Sequence, residues 1–332
     1  MKVTVLYNIV SRVEYGGSED VLAEQDTIKT AKAILETLSK AGYGSELFLV
    51  DPTSVKKLKL WTTDLFFNNA FGIGNVAKSE ADLAAMLEKI EKPFSGAKAK
   101  NIILTTDKTA TKKLLMSLNL PTPNFQVFGD HQKLDPDLRF PLLVKPTGED
   151  SSLGITQSSV VTNKNNLYKK VKEIKKLYQE PALVEEYIDG RELSVSIIGN
   201  GDKAVVLPIS EIIFGPKFPG KYKIVDFDSK WKEGSDSFTQ TVGYCPAKLK
   251  GETRKKIEEI SLEAYRATGC QDYARVDIRF SQDGIPYILE VNANPGIGPE
   301  DGFVRSAKAA GYTYTQLLEK LIDIALQRFN HS

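Results

Sequence analysis

The stretch from Arg275 to Gly296, RVDIRFSQDGIPYILEVNANPG, constrains this chain more than any other. Asp283-Gly284 between two alternating apolar runs predicts a β-hairpin. Its strands should be Arg275–Phe280 and Tyr287–Val291, joined by Ser281-Gln282-Asp283-Gly284. Strand residues two apart share a face, so Asp277 can face Glu290 and Asn292, with Arg275 beside it. A core strand has no reason to end in a carboxylate and an amide next to another carboxylate unless they hold something. Oxygen ligands of this kind suit Mg²⁺ completed by phosphate oxygens and water, with Mn²⁺ as the alternative. No thiolate or imidazole is near in sequence, which argues against zinc. His131 and His331 are the only histidines, so histidine-based catalysis is not expected.

The chain of 332 residues, 41% of them hydrophobic, can build a sizeable core spread over two or three domains. The spacing predicts a strand over 2–10, a helix from Glu24 to Ala41, and short strands over 46–50 and 65–68. A second amphipathic helix should carry Leu83, Met86, Leu87 and Ile90 on one face. This is an open α/β unit. A helix over 108–118 ends at Leu120-Pro121-Thr122-Pro123. A β-rich region follows, with strands expected over 142–145, 155–161, 182–187, 193–198 and 205–209 and one helix over 165–178. Helices over 252–268 and 315–329 flank the hairpin. The domain expectation is therefore 1–104, 105–189 and 190–332.

Lys plus Arg number 44 and Asp plus Glu 43, a balance that favours neither nucleic acid nor an anionic membrane. Cys245 and Cys270 form no disulfide framework or metal spacing, which points to a reducing compartment. The first residues lack a signal-peptide pattern and no apolar stretch reaches 18 residues, so a cytoplasmic location is expected.

Arg275-Val276-Asp277 followed by Leu289-Glu290-Val291-Asn292-Ala293-Asn294-Pro295-Gly296 resembles the metal-binding signature of the ATP-grasp superfamily, closest to the D-alanine–D-alanine ligase family. Other segments agree. Asp107-Lys108 is similar to that family's first phosphate lysine. Leu143-Val144-Lys145-Pro146 with Glu149-Asp150-Ser151-Ser152-Leu153-Gly154 resembles its second lysine and phosphate-covering loop. Val184-Glu185-Glu186-Tyr187-Ile188-Asp189-Gly190-Arg191-Glu192 resembles its adenine hinge and ribose acid. Tyr244-Cys245-Pro246-Ala247 before a helix also matches, and Asp226-Phe227-Asp228-Ser229-Lys230-Trp231 is similar to its mobile loop, with tryptophan in place of tyrosine. The resemblance covers residues 100–328 well and 1–100 loosely.

The fold so implied is ATP-grasp, both α/β and α+β. It has an N-terminal open α/β domain, a small central lid and a C-terminal α+β domain with the metal hairpin. ATP would bind Lys108, Lys145, Ser151, Ser152, Glu185, Glu186, Tyr187, Ile188, Glu192 and Lys230. The metal would sit on Asp277, Glu290 and Asn292. The implied reaction activates an amino-acid carboxylate as an acyl phosphate, which an amine attacks. Arg275 and the Gly296 N–H would stabilise the oxyanion, with Lys230 and Ser151 on the transferred phosphoryl group. The partners are small-molecule amino-acid or amine substrates. Family members are often dimers, so a homodimer is the expectation by analogy.

Three elements depart from the family. Its first helix opens Gly-Gly, Ser-Ala-Glu, where Glu holds an ammonium; here Gly16-Gly17-Ser18-Glu19-Asp20 leaves Glu19, Asp20 and Glu24 as candidates. Phe71-Gly72-Ile73-Gly74 stands where the family has a His-Gly loop. Ile297-Gly298-Pro299-Glu300-Asp301-Gly302 replaces a Ser-rich turn that binds the acceptor's carboxylate. Two acids there would repel a carboxylate, so the acceptor expected is not D-alanine but a cationic or non-carboxylate amine. D-alanine–D-alanine ligation proper, a hydroxy-acid acceptor and a non-catalytic nucleotide-binding protein are the alternatives.

Overall fold

Among the described residues the strands form three sheets. In the computed structural model all residues are described except 13, 18–20, 22–25, 130, 131, 331 and 332. Glu19, Asp20, Glu24, His131 and His331 therefore lie outside the described residues.

The first sheet is parallel. Strand β1 (Lys2–Tyr7) lies between β2 (Gly44–Leu49) and β3 (Leu65–Asn68). Helix α1 (Asp26–Lys40) buries Ala31, Ile34 and Leu38 against it. On the other side, α2 (Glu80–Ile90) buries Leu83 and Leu87 with Leu6 and Phe66. Met86 is not on that face: it is 39% exposed, because the buried stripe is set by Leu83, Ala84 and Leu87. Helix α3 (Ala99–Thr106), not expected from the sequence, leads straight into α4 (Lys108–Ser117). Asp107 separates them, its Oδ1 accepting from the Thr109 and Ala110 N–H groups as the N-cap of α4.

The second sheet is antiparallel, in the order β4 (Phe125–Phe128), β7 (Ala182–Glu186), β5 (Leu142–Pro146) and β6 (Val160–Val161). Helix α5 (Lys164–Tyr178) covers it with Leu167, Val171 and Ile174. The strand expected over 155–161 shrinks to β6. Thr156 and Ser159 form a reciprocal capping box that turns Gln157–Ser159 into a 3₁₀ helix.

The third sheet runs β11 (Thr241–Tyr244), β10 (Ser210–Phe214), β8 (Gly190–Ile198), β12 (Tyr273–Ser281) and β13 (Pro286–Asn292), with β9 (Val205–Val206) paired to β8. The strand expected over 205–209 is interrupted at Pro208, which has no N–H to give a ladder. Helix α6 (Phe227–Trp231), α7 (Asp236–Thr239) and α8 (Gly251–Ala267) follow in the chain around this sheet, then α9 (Gly302–Ala309) and α10 (Tyr314–Asn330). The last helix buries Leu317, Leu318, Leu321 and Ile322 in the same core as Val3 and Val5 of β1. No described helix is long and apolar enough to cross a membrane.

Candidate active site

The second and third sheets face each other across one cleft, and the predicted hairpin forms part of its wall. In the ladder Arg275 pairs with Asn292 and Asp277 with Glu290. A bulge follows, so that Ile278 pairs with Ile288 and Leu289 is the extra residue. All four polar side chains thus come to one face. Arg275 Nη2 lies 2.7 Å from Asp277 Oδ2. Asn292 Nδ2 donates to Asp277 Oδ2 at 2.9 Å and Glu290 Oε1 at 3.4 Å. Ser194 of β8, not foreseen from the sequence, donates to Asp277 Oδ1 at 3.0 Å.

The Asn292 amide nitrogen bridges two carboxylates, the position that a cation favours. Turned over, the same amide would present its oxygen to that cation. The donor set is hard and fits Mg²⁺. Among the described residues no group of three or more His, Cys, Asp or Glu side chains is placed for a metal; this set has two carboxylates and an amide. Burial raises the Glu290 carboxyl, yet Lys108, Lys145 and Arg275 together hold it down at about 2. The same acids hold Arg275 charged despite its burial.

Lys108 and Lys145 approach from the opposite wall. Lys108 is the first residue of α4, and its Nζ donates to Asp150 Oδ1 at 2.7 Å and stands 3.7 Å from Glu290 Oε2. Lys145, on β5, lies 2.6 Å from Glu185 Oε1 on the neighbouring strand β7. The third predicted lysine, Lys230, sits on the short helix α6 rather than a loop, because Asp226 caps it by accepting from Ser229 N at 3.0 Å. Burial and the nearby Arg275 push Lys230 below the usual lysine range.

Ser151 and Ser152 have φ of 57° and 63°, and Gly154 follows at 72°. This left-handed run curls the loop over the cleft and docks it on α6 and the residues before it. Ser152 Oγ donates to the Val225 carbonyl at 2.8 Å, and Trp231 Nε1 to the Ser151 carbonyl at 2.9 Å. Trp231 thus uses its own N–H, where a tyrosine would use a hydroxyl. Gly154 tolerates no side chain: a Cβ would lie 2.9 Å from Pro146 and Tyr178.

Tyr187, Ile188 and Glu192 line the far end of the cleft. Arg279, also missed by the sequence reading, organises them. It lies 2.9 Å from Glu192 Oε2 and donates to the Ile188 carbonyl at 3.1 Å. The Glu186 side chain turns away, accepting from Arg139 N and from Asn124 Nδ2, each at 3.0 Å, so only its backbone serves the cleft. Gly296 lies at the other end. A Cβ there would be 2.6 Å from Asp301 Oδ2.

The substituted turn divides into two. The Glu300 side chain is 97% exposed, so solvent and salt screen its charge. Asp301 faces inward, its Oδ2 accepting from Gly298 N at 2.6 Å. Phe71 lines the cleft, whereas Gly72-Ile73-Gly74 is a folded loop held by Ser79 Oγ, which accepts from Ile73 N at 2.8 Å.

The chain has relatives among known proteins. The family described as D-ala D-ala ligase C-terminus matches residues 114–323. The chain is 33% identical over 322 residues to an uncharacterized protein of Sinorhizobium fredii, covering 97% of this chain and 87% of that one. It is 32% identical to a D-alanine–D-alanine ligase of Methylacidiphilum infernorum, covering 91% of each. The crystal structure of D-alanine–D-alanine ligase from Bacillus anthracis complexed with ATP superposes with a TM-score of 0.77 at 26% identity, covering 100% of this chain and 98% of that one. With its mixed sheets, facing lysines and carboxylate hairpin, this chain belongs to the D-alanine–D-alanine ligase family of ATP-grasp, ATP-dependent carboxylate–amine ligases.

Proposed function

We propose that this protein uses ATP and Mg²⁺ to activate an amino-acid carboxylate as an acyl phosphate and joins it to an amine other than D-alanine. The observation that carries the reading is the in-register pairing of Arg275 with Asn292 and Asp277 with Glu290, facing Lys108 and Lys145. Asp277, Glu290 and Asn292 would hold the metal, which when bound neutralises charge on the phosphates. Lys145 and Lys108 would bind phosphate oxygens, and the Ser151-Ser152 backbone, docked by Trp231, would exclude water from them. The Tyr187–Ile188 backbone would take the adenine and Glu192 the ribose, each oriented by Arg279. Lys230 lines the same cleft as Arg275 and Asp277 and would follow the transferred phosphoryl group. Arg275 and the Gly296 N–H would donate to the oxyanion that forms when the amine attacks.

The acceptor reading now rests on Asp301 alone, since Glu300 points to solvent. A carboxylate next to the attacking amine would meet Asp301 in a cleft where charge is poorly screened. An acceptor with a neutral or cationic group there avoids that repulsion.

ADP release over a matrix of paired D- and L-amino acids and amines, with Mg²⁺ present, tests both levels. The expected outcome is turnover for pairs whose acceptor lacks a carboxylate beside the amine. Full turnover with D-alanine alone would remove the acceptor reading. Absence of acid-dependent ADP release from every pair would remove the ligase reading. Asp277→Ala should abolish ADP release, because it removes a metal ligand and leaves Arg275 without its carboxylate.

A further inference from the structure

Lys112 was not singled out by the sequence, yet it is the most deeply buried lysine of the described residues, with 0% exposure. It lies on α4 one turn after Lys108. Its Nζ stands 2.7 Å from Glu185 Oε2, while Lys145 Nζ stands 2.6 Å from the other oxygen of the same carboxylate. Glu185 is 1% exposed. Lys112 also donates to Thr122 Oγ1 at 2.8 Å, and that hydroxyl donates to the Ile288 carbonyl at 2.8 Å, two residues before Glu290. Lys108 and Lys145 line the cleft and Lys112 does not; the Glu185 carboxylate, expected from the sequence to meet ATP, has each of its oxygens set against a lysine instead. It can act only through its neighbours.

We propose that Lys112 is a positioning residue that neutralises Glu185 and so leaves the charge of Lys145 available to a nucleotide phosphate. The inference rests on the phosphate role given to Lys145 above. Two ammonium groups share one carboxylate, so the buried triad carries one net positive charge. Lys145 is its member at the cleft and delivers that charge there. Without Lys112, Glu185 and Lys145 would form a closed neutral pair in a site of low dielectric, and the field at the phosphates would be quenched. Lys112 also ties the helix that begins at Lys108 to the strand that carries Glu290, so the two lysines and the metal carboxylate keep one spacing. A purely structural lysine would need neither the shared carboxylate nor a cleft-facing partner on its other oxygen.

The experiment compares binding of Mg²⁺-ATP and of adenosine, which lacks phosphates, to the full-length protein by calorimetry and competition. Lys112→Met should weaken ATP at least about tenfold and leave adenosine within about twofold. Adding Glu185→Gln to that variant removes the unneutralised carboxylate and should restore ATP binding to within about threefold of wild type. Lys112→Arg, which keeps the charge, should lie between wild type and Lys112→Met. Equal loss of ATP and adenosine, or a double variant no better than Lys112→Met, would overturn the inference. Should Lys112→Met fail to fold, the double variant, whose triad again has one net positive charge, decides alone: near-normal ATP binding supports the inference and a loss overturns it. Wild-type protein that bound no ATP would sink the functional reading as well. Normal wild-type binding with an indifferent Lys112→Met sinks only this inference.

Discussion

Lys108 and Lys145, expected to share one triphosphate, sit in opposite electrostatic surroundings. Around Lys145 two lysines face one carboxylate, all nearly free of solvent. Burial raises the Glu185 carboxyl, but Lys112 and Lys145 win and hold it below the usual range. Around Lys108 the balance is reversed. Lys108 and Lys78 face Asp150, Glu149, Glu180 and Glu290, at distances between 2.7 and 3.7 Å. Burial and the adjacent Glu180 push the Glu149 carboxyl up to about 7. The Lys145 side is a finished cation, fixed before any ligand arrives. The Lys108 side has spare negative charge that a divalent ion would neutralise. On the function proposed above, Lys145 would be preset for phosphate, and Lys108 would be exchanged between protein acids and ligand.

Lys145→Met should have the largest consequence of any lysine change, lowering kcat/KM for ATP by about 10²-fold or more, comparable to losing a preorganised charge donor. Its thermal stability should change less, because Glu185 keeps Lys112. Steady-state kinetics beside a melting curve measures both. Lys108→Met should do the reverse. It strips Glu290 and Asp150 of their shared cation and should cost about 3 kcal/mol of stability. Its kcat/KM should fall only about tenfold. Mg²⁺ should raise its Tm more than it raises that of wild type. Equal kinetic losses in the two variants, or a Lys108→Met protein indifferent to Mg²⁺, would dissolve the distinction between the two sides.

The smallest effect concerns pH. A carboxyl whose pKa is raised in the folded state favours the fold only while protonated. Its contribution is therefore lost as pH climbs from the ordinary carboxylate range to about 7, and stays lost above. Glu149→Gln removes that cost. The variant should melt a few °C (~2–4 °C) above wild type at pH 8 and level with it at pH 5. An equal gain at both pH values would mean that packing, not charge, sets the stability of this loop.

What could be read in advance depended on range along the chain. The hairpin was legible because alternation and an Asp-Gly turn are local, but the register set by the turn would leave Asp277 opposite Leu289, and only the bulge at Leu289 brings it opposite Glu290. The short strands β6 and β9 were overdrawn, since a capping box and a proline cut them. Lys112 could have been noticed as the residue four after Lys108, on the same helix, but helical spacing does not reveal a partner on a strand more than seventy residues away. Arg279 and Ser194 were hidden for the same reason. The Glu300-Asp301 pair looked like one acidic feature in sequence, and only the turn separates an exposed acid from an inward one.

The sequence by itself determined the family, the fold class and the carboxylate–amide hairpin, because periodicity and turn chemistry act between near neighbours. The tertiary structure alone decided which charges meet: that Glu185 is shared by two lysines, that Lys108 is outnumbered by acids, and that Glu300 is left to solvent while Asp301 is held in its turn. Ion pairing depends on distances of a few ångströms between segments far apart in the chain, and those distances exist only once the sheets have packed.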